Sequence, residues 1–155
     1  MSTSSATTTT GTRAVVPAWQ QWVRWLYLGT AVLVGAAIVG QVFFAGAAVL
    51  VNPAYWAAHR GMGNTIEFLA LALVLVGLGT RLPWRVQGLG GLLYVLMLLQ
   101  YVFLYLMPQA GLPLLRALHA VNALALFGVT CVLIVQIWHQ VRSPRYVDQE
   151  RSTIG

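Results

Sequence analysis

The sequence predicts an all-α integral membrane protein: an antiparallel, up-down bundle of four transmembrane helices with both termini in the cytoplasm. Three observations carry this. Only 8% of the 155 residues are charged and 59% are hydrophobic, with a mean hydropathy of +0.75; a soluble domain carries about 25% charged residues. Four apolar spans each exceed the roughly 20 residues that cross a bilayer. The nine basic residues are all Arg and fall unequally on the two sides of those spans. Arg13, Arg24, Arg81, Arg85, Arg142, Arg145 and Arg151 share one side, and Arg60 and Arg116 the other. The Arg-rich side is expected to be cytoplasmic. The formal charge of +6 is then explained by the membrane surface, so no nucleic-acid partner is expected.

Residues 1–17, MSTSSATTTTGTRAVVP, are rich in Ser and Thr and read as a disordered tail. Their charge is sparse and no short apolar core precedes a cleavage site, so a secretory signal peptide is not expected. Residues 18–141 form the four-helix domain. The first span, about 25–48, follows the run WQQWVRW, where Trp19, Trp22 and Trp25 suit an aromatic belt at the headgroups. The second, about 53–80, opens with Asn52 as a helix cap and Pro53 at the first helical position. RLPWR connects it to the third span, about 86–107, which begins with QGLGG. PQAGL leads into the fourth, about 113–139. Such short connections join antiparallel neighbours. Residues 142–155 are a polar tail. Cys131, the single cysteine, sits in an apolar run and reads as a small buried hydrophobe.

Two histidines occupy matched positions. His59 follows Pro53 by six residues, and His119 follows Pro113 by six. Both helices start on the same side of the membrane, so both rings are expected at one depth, about 9 Å below the helix starts. Ionisable groups inside a membrane are costly and mark candidate sites. Two histidines at equal depth on different helices suit one planar cofactor, and haem iron accepts axial histidines from opposite faces. No Cys-x-x-Cys-His motif is present, so the expected haem is b-type and not covalently attached. His59 and His119 are the expected iron ligands.

The neighbours extend this reading. Gly63 and Ala123 lie one turn deeper than the two histidines and leave room for a porphyrin edge. Arg116, one turn outward from His119, suits a haem propionate; Arg60 adds a second cation or reaches the headgroups. Counting six residues back from the same side of the other two spans reaches Gln41 and the pair Gln100–Tyr101. These suit hydrogen bonds to a histidine ring, to a porphyrin substituent or between helices. Glu67 lies about 12 Å deeper than His59, with no cation in reach on its helix. It reads as a proton-relay group or as an acid hydrogen-bonded near Asn64 or Asn122.

The segment AAHRGMG is similar to the His-Arg segment that opens the second helix of each half of haem A synthase. QGLGGLLYVLMLLQ followed by RALHAVNALALFG resembles the third and fourth helices of such a half. The resemblance covers about residues 40–138 and extends to small bacterial four-helix membrane proteins of this layout. It implies a bacterial plasma membrane and one haem between the positions of His59 and His119. Enzymatic haem oxidation is not implied. The family's Glu three residues before its histidine is Trp56 here, and the family's eight helices and outer cysteine pair are absent from this sequence.

The expected function is therefore a b-type cytochrome-like haem protein, engaged in electron transfer or haem handling. A membrane quinol or a redox protein would be its partner, and a homodimer would recreate the eight-helix arrangement. Two other readings use the same residues: a haem-free membrane subunit or assembly factor, and a small proton-linked transporter subunit.

Overall fold

The computed structural model describes residues 14–15, 17–142 and 146–147. The two expected tails fall largely outside these residues. Within them, β1 (Ala14–Val15) and β2 (Tyr146–Val147) form a two-residue antiparallel pairing, Ala14 opposite Val147.

Residues 18–142 are helical apart from short turns. Helix α1 runs over Ala18–Leu50 and α2 over Tyr55–Gly79. Helix α3, Trp84–Tyr101, continues through a π-helical turn at Val102–Leu106 into the short α4, Met107–Gln109. A 3₁₀ turn at Pro113–Ala117 leads into α5, Leu118–Arg142. Four helical spans, 18–50, 55–79, 84–109 and 113–142, are long and apolar enough to cross a membrane.

The boundaries differ from the expected ones for local reasons. Helix α1 starts seven residues earlier than 25, directly after Pro17, so the Trp-rich run is helical rather than a lead-in. Proline's fixed φ suits a helix entrance, and that signal was present in the sequence. Asn52 and Pro53 stand just outside the second helix, whose N-cap is Ala54, rather than at its cap and first position as expected; the Asn52 Oδ1 instead accepts from the Ala54 N–H at 2.9 Å in the turn before it. The chain then makes tight turns, with Tyr55, Trp56 and Ala57 N–H donating to the carbonyls three residues back. Regular α-helix follows from Tyr55. In the third span, Pro108 has no N–H to offer the carbonyl one turn before it. The ladder widens there, and the Met107 N–H donates to Val102 O.

Each long helix buries one narrow stripe. On α1 it is Tyr27, Ala31, Val34 and Ile38; on α2, Ile66, Ala70, Leu73 and Gly77. On α3 it is Val86, Gly90, Leu93 and Met97, and on α5, Leu126, Thr130, Leu133 and Ile137. The spacing of three and four residues is that of one helix face. The opposite faces are equally apolar: Phe43, Phe68 and Leu124 are all about 70% exposed. Helices apolar on every side need a lipid neighbour or a large core. Helix α1 packs on α2 and α5, and α3 packs on the same two, so the four spans form a ring. Cys131 is exposed on the outer surface of α5 rather than buried as expected. The sequence there is apolar on all sides, so hydrophobicity alone did not reveal which face turns inward.

Tyr27 is the largest fully buried side chain. Its hydroxyl end lies between Gly77 and Gly90. A β-carbon at Gly90 would stand 2.6 Å from the Tyr27 oxygen, and one at Gly77 would stand 3.2 Å from its ring. The contact at Gly90 is too close for any β-carbon without a shift of the phenol, and the one at Gly77 is tight. At the same end, Gln21 Nε2 donates to Val141 O (3.1 Å) and Arg24 Nε to Thr80 O (3.4 Å). Arg81 adopts a left-handed backbone with φ 51°. Its guanidinium lies 5.8 Å from the Trp19 ring. With the buried Gln20 amide oxygen turned toward the loop, Arg81 Nε and Nη1 donate to it at 3.1 and 3.2 Å.

Candidate functional site

All four spans contribute to one cleft of about 360 Å³. Helix α1 supplies Ile38, Gln41 and Val42; α2 supplies His59, Arg60, Gly63 and Asn64; α5 supplies His119 and Ala123. Gln100, Tyr101 and the π-turn residues Leu104 and Tyr105 close the remaining side. Its size is within the range of about 300–1,000 Å³ typical of ligand pockets. The π turn shapes this wall, and such turns recur at functional sites.

The two matched histidines meet here. Their ring centroids are 6.4 Å apart and the planes cross at 70°. His59 is held firmly. Its Nδ1 lies 3.0 Å from the backbone carbonyl of Gln41. A carbonyl only accepts, so Nδ1 carries the proton and Nε2 presents a lone pair. The Gln41 side-chain amide donates to that Nε2 over 3.3 Å. Trp56 meets the His59 ring edge-on at 5.3 Å. Gln41 thus fixes one ring nitrogen through its main chain and covers the other through its side chain.

The cleft also gathers unmet polar groups. Among the described residues, four buried side-chain atoms lack a hydrogen-bond partner. Three of them, Gln41 Oε1, Gln100 Oε1 and His119 Nδ1, belong to cleft residues. The fourth is the Tyr27 hydroxyl, at the far end of α1. Buried polar atoms are normally paired, so three orphans around one space point to a ligand with polar groups of its own. Among the described residues no three His, Cys, Asp or Glu side chains cluster to hold a metal ion by themselves.

Gly63 keeps the wall beside His59 thin: a β-carbon there would stand 3.3 Å from Gln41 Nε2. Arg60 lines the cleft and is exposed, so it stands at the rim. Arg116 is exposed and outside the lining. It sits in the 3₁₀ turn, where the chain winds at about three residues per turn, so α-helical counting back from His119 did not fix its direction.

Glu67 has a partner that the sequence did not indicate. Tyr101 donates its hydroxyl to Glu67 Oε2 at 2.6 Å. Neither Asn64 nor Asn122 takes that role; Asn122 Nδ2 donates to Leu96 O at 2.8 Å and ties α5 to α3. Tyr101→Phe would leave the half-buried carboxyl without this donor. We expect it to lower stability by about 1–3 kcal/mol. Glu67→Gln keeps an acceptor for the hydroxyl and should cost less. Thermal unfolding in detergent compares the two; equal losses would show that the hydrogen bond contributes nothing.

A family of unknown function (DUF6220) matches residues 41–106. The match begins at Gln41, contains His59, Arg60, Gly63, Glu67, Gln100 and Tyr101, and stops short of His119. No curated protein and no solved structure matches the chain.

Proposed function

We propose that this protein is a membrane b-type haem protein that holds one haem between α2 and α5, with His59 and His119 as axial ligands. Its helices run antiparallel, up and down through a bacterial plasma membrane, with both termini in the cytoplasm. The observation that carries the reading is the histidine pair. The rings of His59 and His119 are close enough that one metal atom between them could be held by both. The observed separation is 6.4 Å.

The residues present fit such a group. Metal-bound histidines commonly donate their second ring N–H to a carbonyl, which fixes the tautomer. The Gln41 carbonyl does this for His59. The Gln41 carboxamide must leave Nε2 on ligation. That costs one long hydrogen bond, and its oxygen has no partner to lose. Gly63 and Ala123 keep bulk away from the ring edge. Arg60 at the rim supplies the cation for a propionate, a role its position favours over Arg116. Bound haem would supply one-electron chemistry. The bundle would supply a low-dielectric sheath suited to exchange with a quinol or a redox protein.

Gln41→Ala separates the two contacts of this residue. It removes the side chain and keeps the main-chain carbonyl. We expect haem loading to be retained or increased, read as haem per protein by pyridine haemochrome assay. A loss comparable to that of a histidine variant would contradict the assigned role of the carbonyl.

A further inference from the structure

His119 differs from His59 in one respect. His59 Nδ1 donates to the Gln41 carbonyl, whereas His119 Nδ1 is buried without a partner. A histidine that gives Nε2 to a metal carries its proton on Nδ1, and that N–H needs an acceptor. Two buried acceptor atoms of cleft residues lack a donor, Gln41 Oε1 and Gln100 Oε1. Gln41 Oε1 belongs to the carboxamide that covers His59. Gln100 is left for His119.

The packing of α3 on α5 favours the same pairing. The two helices are tied where Asn122 Nδ2 donates to Leu96 O at 2.8 Å. Gln100 is four residues beyond Leu96 on α3, and His119 is three residues before Asn122 on α5. Each spacing keeps the residue on the helix face that makes the tie. Both residues line the cleft, so both lie on the same side of that tie. Gln100 is only 6% exposed, and a buried carboxamide oxygen without a donor is costly to keep. We propose that Gln100 is the positioning residue for His119. Once His119 Nε2 is ligated, its Nδ1–H donates to Gln100 Oε1, which fixes the tautomer and the ring plane as the Gln41 carbonyl does for His59. The assignment rests on the haem reading above. It brings α3 into the hold on the iron ligands, through a side chain that bonds to nothing else among the described residues.

The test compares full-length wild type, Gln100→Leu and Gln100→Glu in detergent. Leu keeps most of the bulk and removes the acceptor; Glu keeps an acceptor at the same reach. Three quantities are read: haem affinity by titration with haem b, the electron paramagnetic resonance spectrum of the ferric protein, and thermal unfolding of the haem-free protein. Gln100→Leu should lower haem affinity about 10–100-fold. It should also broaden or shift the low-spin signal, which responds to the orientation of the two axial rings. Its haem-free form should unfold no earlier than the wild type, because the carboxamide oxygen has no bond to lose there. Gln100→Glu should bind haem nearly as the wild type does. Reduced affinity with an unaltered low-spin signal would assign Gln100 to the porphyrin and overturn the positioning role. Early unfolding of haem-free Gln100→Leu would assign it to packing, and equal losses in the Leu and Glu variants would show that the acceptor is immaterial; either overturns the role. Wild-type affinity in Gln100→Leu overturns this role alone, whereas a wild-type protein that takes up no haem overturns the haem reading and the role with it.

Discussion

His59→Ala and His119→Ala are each expected to abolish haem loading, with affinity reduced more than about 100-fold, because even a group that only hydrogen-bonds to a metal ligand is worth about 10–100-fold. The two variants should fail alike although they lie on different helices and differ in surroundings. His59 is fastened to Gln41 at both nitrogens, whereas His119 has a buried Nδ1 without a partner. If the histidines served only to lock helices together, the variants would behave differently. His59→Ala would break two hydrogen bonds between α1 and α2 and lower stability. His119→Ala would remove an unpaired polar atom and cost little. Absorbance in the Soret region and thermal unfolding, measured on the same samples, separate these outcomes. Loss of the band in both variants supports ligation. Retention of the band in either variant would contradict it.

Gly90→Ala is expected to impair folding. The new methyl group would stand 2.6 Å from the Tyr27 hydroxyl oxygen. Tyr27 is fully buried and also confined by Gly77, so it cannot swing clear. Overpacking of this kind costs about 1–3 kcal/mol. The remedy is specific. Tyr27→Phe removes the oxygen that clashes, and that oxygen has no hydrogen-bond partner to lose. The double variant should therefore regain much of the stability lost in Gly90→Ala. A double-mutant cycle measures this coupling. Additive losses would show that the two residues do not meet.

These cases also show how far the sequence was legible. The four spans were, because a run of apolar residues long enough to cross a bilayer needs no knowledge of its neighbours. The pairing of His59 and His119 followed from a symmetric count: two prolines open two helices, and six residues later two rings reach the same level. Counting the same distance on the first span reached Gln41, whose side chain and carbonyl both contact His59. The double contact itself was not legible, since it depends on how closely α1 approaches α2.

Other features were hidden because the helices are apolar on every face, so periodicity does not reveal which side turns inward. Cys131 points outward for that reason, and the Tyr101–Glu67 pair links residues 34 positions apart across two helices. Tyr27 follows an aromatic-rich interfacial run and shares its character. Only the backbone approach at Gly77 and Gly90 shows that it belongs to the core. Arg116 escaped because its segment winds as a 3₁₀ turn, a distinction that sequence spacing does not carry.

The central claim is tested most directly by the spectrum of the full-length wild-type protein purified from haem-replete cells. The histidine geometry predicts about one haem per chain, with the optical and electron paramagnetic resonance signature of low-spin iron held by two imidazoles. A colourless protein, or haem in a high-spin state that neither His59→Ala nor His119→Ala alters, would contradict it.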